Sequence, residues 1–138
     1  MASVADQIKR IAVKSNQKVE TVIKKSLIRL STQIIQRSPV DTGRFKNNWL
    51  GAYGAIDTTV TTNKAKTSFG DAYGAVVDRA TMKINGMEAG EVFYFTNSLP
   101  YAQRLEYLGW SAQAPQGMVR VSVASWISIT DEEIRKAR

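Results

Sequence analysis

The groups that could carry chemistry in this chain are carboxylates. Asp131-Glu132-Glu133 form a run, Asp71 and Asp78 share one face of an expected helix, and Asp41 sits in a turn. Such groups act as general acids and bases, or as hard oxygen ligands for Mg²⁺ or Ca²⁺. Nothing complements them. The chain has no His and no Cys. That removes Ser-His-Asp and Cys-His catalysis, thiolate zinc sites and nearly all zinc hydrolase chemistry. Ser38 and Ser98 have no identifiable base. Neither calcium-loop spacing nor a phosphate-cradling glycine loop occurs. The acids are expected to be solvated charges and caps, with no metal, no cofactor and no catalytic site; the chain is not expected to be an enzyme.

The elements that must position these groups follow from length and charge. A chain of 138 residues with 43% hydrophobic content reads as one domain with a real core. No apolar run approaches the length of a membrane span. The first residues, Met1 to Gln7, lack the apolar block of a signal peptide, so a soluble chain made inside the cell is expected. The net charge is +7, and it is unevenly spread. Residues 1–50 hold ten Lys/Arg and three acids, whereas residues 51–138 hold nine of each. The whole excess therefore lies in the N-terminal third, which suggests a polyanionic neighbour or an acidic partner surface. The alternative is that a long helix carries Lys for solubility.

Val4, Ile8, Ile11, Ser15, Val19, Val22, Ser26, Leu30 and Ile34 recur three and four apart. This spacing predicts an amphipathic helix over about 3–37. Ser3 caps its start, and Ser38-Pro39 stops it. At 1.5 Å per residue such a helix is a rod of about 50 Å. A compact domain of this length is roughly 37 Å across. The helix should overhang its own body, and its apolar stripe then needs cover from another chain. The alternative is a kink at Ser15-Asn16-Gln17 that folds the helix back. Arg10, Lys14, Lys18, Lys25 and Arg29 form a basic edge about a quarter turn from the stripe. That edge suits an acidic partner or a channel carrying DNA. It lacks the aromatic interleaving of single-strand binders and the signatures of sequence-specific readers.

Downstream, Ser38 to Gly43 is a turn cluster. Leu50 to Ala55 reads as a short extended piece, and 58–63 as a loop. Ser68 to Ile84 reads as a helix, with Ala72, Val76, Ala80 and Ile84 four apart, ended at Asn85-Gly86. Glu91 to Asn97 is the best strand. Leu99 to Leu108 is a short helix with Tyr101, Ala102, Leu105 and Leu108 on one side, ended by Gly109. The last segment is ambiguous: Val119, Val121 and Val123 alternate like a strand, while Val119, Val123, Trp126, Ile127, Thr130 and Ile134 fit a helix equally well, and length favours the helix. One helix runs to about Lys136, or the chain breaks near Ile129, with Thr130 capping a new turn and Glu133 completing a capping box.

Three stretches resemble a known family. Ser38-Pro39-Val40-Asp41-Thr42-Gly43-Arg44, followed by Phe-Lys-Asn-Asn-Trp, is similar to its N-terminal signature. Phe95 to Tyr107, with Thr96-Asn97-Ser98-Leu99-Pro100-Tyr101-Ala102 at its centre, is similar to its middle segment. Ser111-Ala112-Gln113-Ala114-Pro115-Gln116-Gly117-Met118-Val119-Arg120 is similar to a third. The family is that of the tail-completion, or neck, proteins of tailed bacteriophages, to which minor tail protein Z of phage lambda belongs. The resemblance implies an α+β fold, with a long N-terminal helix packed on a small, mainly antiparallel sheet and two or three further helices. It implies one domain over 1–138, with a helix over about 3–37 and a body over about 38–138.

It further implies a structural virion protein at the head–tail junction, made in the host cytoplasm, without cofactor or membrane contact. Its partners would be copies of itself in a sixfold ring around the DNA channel, and the tail terminator, tail tube or neck connector proteins. Pro39, Asp41, Thr42 and Gly43 would shape the turn from helix to sheet. Tyr101, Leu105 and Glu106 would hold the short helix to the core or to a neighbour. Arg10, Lys14, Lys18, Lys25 and Arg29 would face DNA in the lumen or an acidic neighbour. The alternative function is a non-specific basic DNA-binding module.

Overall fold

One helix, α1 (Val4–Arg37), runs for 34 residues without a break. In this computed structural model the described residues are 3–62, 69–70, 74–88 and 90–137. Ser3 begins α1 with a reciprocal box: its hydroxyl accepts the Asp6 N–H (3.2 Å), and the Asp6 carboxylate accepts the Ser3 N–H (3.4 Å). Ser15-Asn16-Gln17 stay helical, so the fold-back alternative fails. Ser38 turns extended before Pro39 and ends the helix.

The rest of the chain forms a body beside the C-terminal half of α1. It comprises α2 (Arg44–Asn47), β1 (Trp49–Tyr53), α3 (Gly74–Asn85), β2 (Phe93–Asn97), α4 (Ala102–Tyr107), α5 (Val119–Val123) and α6 (Trp126–Ala137). β1 and β2 pair antiparallel, from Trp49 opposite Asn97 to Tyr53 opposite Phe93. The architecture is α+β. α3 touches both α1 and β1, and α6 lies along α1. The long helix thus reaches the sheet largely through α3.

A two-stranded sheet is marginal in water unless something packs on it. Here Trp49 stacks on Phe95 (5.0 Å) and meets Phe45 edge-on (5.8 Å). Ile34, Ile35, Val76, Leu99, Leu105 and Met118 close around them. The Trp49 indole N–H donates to the Ser38 hydroxyl (2.8 Å), which itself donates to the Ile34 carbonyl (2.7 Å). The end of α1 is thereby tied to the start of β1. On the sheet, Gly51 leaves room for the Phe93 ring, which a Cβ would meet at 3.0 Å.

Several expectations need correction. Leu108 is exposed rather than on the buried side of α4, because α4 ends at Tyr107 and Leu108 has left helical geometry. The C-terminal segment is two helices broken at 124–125, earlier than the expected break near Ile129. Thr130 is therefore no cap; inside α6 its hydroxyl donates back to the Trp126 and Ile127 carbonyls (3.0 and 2.9 Å). Glu133 closes no capping box, because Arg29 on α1 draws its carboxylate away (3.3 Å). The second helix does not begin at Ser68 as expected: Phe69 and Gly70 form a turn, with Gly70 left-handed (φ +89), and Ala72 and Tyr73 lie outside the described residues. Within them, Val76, Ala80 and Ile84 are buried as the spacing predicts.

From Ser3 to Val19 every residue of α1 is exposed, whereas Ser26, Ser31, Ile34 and Ile35 are buried. Local stability should divide the same way. At dilute, monomeric concentration, removal of residues 1–15 is expected to shift the thermal midpoint by no more than about 3 °C. Ile35→Ala is expected to cost about 2–5 kcal/mol. Scanning calorimetry on the two variants checks both.

Candidate functional site

The residues quoted for the family resemblance converge in the body. Glu106 on α4 is 7% exposed. Its Oε2 accepts the N–H groups of Met118 (2.7 Å) and Val119 (3.0 Å), and its Oε1 accepts that of Arg120 (2.9 Å). These are donors that a helix leaves unsatisfied at its first turn. A carboxylate from a distant element thus caps α5. Arg120 completes the knot: its Nε donates to Oε1 (3.3 Å), its Nη2 donates to the Glu106 carbonyl (2.6 Å), and its guanidinium covers the Tyr107 ring (4.9 Å). Gly117 has φ +88, and a Cβ there would stand 2.5 Å from the Glu106 carbonyl oxygen. Burial pushes the Glu106 pKa up, but the three N–H donors and Arg120 outweigh it and hold the carboxyl below its usual value.

The turn motif is tied to the same region. Pro39 is buried, Gly43 is left-handed (φ +86), and the Thr42 hydroxyl accepts the Arg44 N–H (3.3 Å). Gln113 reaches across to the turn: its Oε1 accepts the Val40 N–H (2.7 Å), and its Nε2 donates to the Val40 carbonyl (3.4 Å). An open cleft of about 400 Å³ lies between, bordered by Asp41, Thr42, Phe45, Tyr101, Leu105 and Gln113. Tyr101 packs on Phe45 (6.0 Å) and Leu105 is buried, so both hold α4 to the core. Burial raises the pKa of the Tyr101 hydroxyl. Asp41 and Thr42 remain exposed at the rim.

Sequence reasoning assigned no role to the Lys46-Asn47-Asn48 run, yet all three side chains are buried. Asn48 imitates a strand: its amide donates to the Thr61 carbonyl (3.0 Å) and accepts the Thr61 N–H (2.8 Å). Asn97 donates to the Phe45 carbonyl (2.8 Å), and Arg79 bridges the carbonyls of Asn47 and Trp49 (2.8 and 2.9 Å). The available signal was two adjacent amides beside a Trp, a polar run placed where a core strand begins.

The basic edge divides. Arg10, Lys14, Lys18 and Lys25 are exposed on α1. Arg29 leaves the edge, because it pairs with Glu132 (2.8 Å) and Glu133 (3.3 Å) on α6. Hydrogen bonding to Glu132 leads the factors that raise the Arg29 pKa. Burial works against the Glu133 carboxylate, but Lys136 and Arg29 prevail and lower its pKa. Of the acidic run, only Asp131 is left without a role in tying α6 to α1. Asp78 is exposed, and Asp71 lies outside the described residues. Among the described residues no cluster of three or more acids is arranged as a metal site. No helix among them is long and apolar enough to cross a membrane.

Beside the basic edge runs the apolar stripe. Val4, Ile8 and Ile11 are 72%, 61% and 66% exposed, and Val19 and Ile23 remain largely open. The fold and surface together define an α+β body carrying a helical arm that it does not cover. Comparison with protein-family models, with curated proteins and with solved structures finds no match.

The Glu106 knot makes a stability prediction. Glu106→Ala is expected to cost about 3 kcal/mol, since it leaves three backbone donors without their acceptor. Because the folded pKa is depressed, the carboxylate's contribution is present above about pH 4.3. It is lost as pH falls through the lower folded value. Urea midpoints between neutral and acid pH should fall along that limb in the native chain and fall less steeply in Glu106→Gln.

Proposed function

We propose that this chain is a non-catalytic structural protein of the phage head–tail junction, which assembles into a ring and completes or joins the tail. The observation that carries the reading is the arm. About four turns of amphipathic helix stand clear of the body with their apolar stripe in water. Exposed apolar patches of this kind mark interaction sites, and a monomer gains nothing from keeping one. The motif resemblance supplies the setting: tail terminator, tail tube or connector proteins as neighbours, and genomic DNA passing through. Arg10, Lys14, Lys18 and Lys25 would then face either that DNA or an acidic neighbour. The motif residues Pro39, Gly43, Glu106, Gly117 and Arg120 would serve the body that presents the arm, rather than the contact itself.

Four exposed cations on a projecting rod also favour a second reading, a non-specific DNA-binding module. Light scattering after size exclusion, across a wide range of concentration, separates the two. The structural reading expects a closed oligomer, seen as rings by electron microscopy, and normal monomer folding but failed head–tail joining when Arg10, Lys14 and Lys18 are changed to Glu. Intact infectious particles from that variant would sink it. A strict monomer that binds duplex DNA, with affinity falling steeply as salt rises, would put the second reading in its place.

A further inference from the structure

Where α1 leaves the body, a groove of about 430 Å³ opens between it and the turn after α3. Its floor is apolar: Val19 and Ile23 on α1, and the buried Met87. Its rim is acidic: Glu20, Glu88 and Glu91. Among the described residues the only cation lining it is Lys24, which is turned inward; it pairs with Glu20 (2.8 Å) and donates to the Asn85 carbonyl (3.2 Å). The turn is braced, since the Glu91 carboxylate accepts the Glu88 N–H (2.7 Å) and the Glu91 N–H donates to the Glu88 carbonyl (3.2 Å). Three carboxylates against one ammonium leave the groove about two charges negative.

The first three turns of α1 have the matching chemistry. Val4, Ile8 and Ile11 stand at i, i+4 and i+7, the anchor spacing by which an amphipathic helix enters an apolar groove. Lys9, Arg10 and Lys14 against Asp6 leave this segment about two charges positive. Arg10 and Lys14 run along one flank of the stripe, where an acidic rim would meet them. We infer that the arm of one copy docks in the acidic groove of a second copy of this chain.

Two rival arrangements fit less well. A neighbouring, more apolar groove is bordered by Lys18, Val22 and Ile134. It carries Lys18 on its edge and lies on the end of α6 that bears Arg135 and Lys136, so a cationic arm is repelled there. Pairing two arms through their stripes brings the Arg10, Lys14 and Lys18 flank of each copy against a second cationic helix, with a penalty of the same kind. In the arm-to-groove contact the two surfaces are different patches of one chain, so each copy gives one arm and receives another. Such a head-to-tail contact builds a ring if the rotation closes and a filament if it does not. The inference deepens the assembly reading above and rests on it for self-association alone, not for the phage setting.

A mixing experiment tests it. One variant, Ile8→Asp with Ile11→Asp, has a dead arm and a live groove. Another, Glu88→Lys with Glu91→Lys, has a live arm and a dead groove. All four positions are exposed; circular dichroism melts are expected to match the native chain for the arm variant and to lie slightly below it for the groove variant, which loses the Glu91 brace of the turn. Each variant alone should associate more than about tenfold more weakly than the native chain. Mixed, they should form a one-to-one dimer and nothing larger, since one usable contact remains. Adding Arg10→Glu and Lys14→Glu to the groove variant should restore assembly by exchanging the charges. A groove variant that assembles like the native chain would overturn the contact while leaving a ring intact. A native chain that stays monomeric at every concentration would also overturn it, while assembly on a tail template, and with it the proposed function, could still hold.

Discussion

A helix of 34 residues is longer than the body that the remaining chain can build beside it, and this mismatch governs the molecule. The C-terminal half of α1 is covered, by α3, α5 and α6, and it anchors the core through Ile34 and Ile35. The N-terminal half is not, although its stripe continues with the same period. Burying a Val or Ile side chain is worth about 1.5–3 kcal/mol. Several of them left in water are an unspent driving force, and the natural place for it to act is between molecules.

The body is held together, and joined to α1, through a few over-determined joints. The Ser38–Trp49 hydrogen bond ties helix to strand. Gln113 ties the turn after α1 to the loop before α5. Glu106 caps α5 from outside that helix and is clasped by Arg120. Buried polar groups with several good partners specify one geometry, because any slip leaves a donor or acceptor dry. The stretches that resemble a phage family are therefore joints of the scaffold, whereas the surfaces proposed to meet a partner lie in α1 and the turn after α3.

Electrostatics separates the same two regions. Arg29 looks like a member of the basic edge, but Glu132 and Glu133 take it into the body, where it fastens α6 to α1. What remains exposed, Arg10 to Lys25, belongs mostly to the projecting part, where water and salt screen charges from one another and a partner of opposite sign can still engage them.

Local physics was enough to read α1, its Ser3 cap, its stop at Pro39, the strand near 91–97 and the buried stripe of α3. Each depends on period, capping or turn chemistry within a few residues. The overhang was legible as well, because rise per residue and chain length bound it without any coordinates. The α+β class was implied by the family resemblance and agrees with the fold. Most of the departures involve a distant partner. Glu133 serves Arg29 rather than a capping box, and Arg29 deserts the basic edge for the same reason. Leu108 is exposed because α4 stops one residue short of it. Asn47 and Asn48 are buried where Arg79 and Thr61 reach them, and Glu106 finds its donors at 118–120. A single chain states which groups want partners. Only the tertiary structure decides which partner is close enough, and for hydrogen bonds and ion pairs that work over about 3 Å, closeness is the whole of the decision.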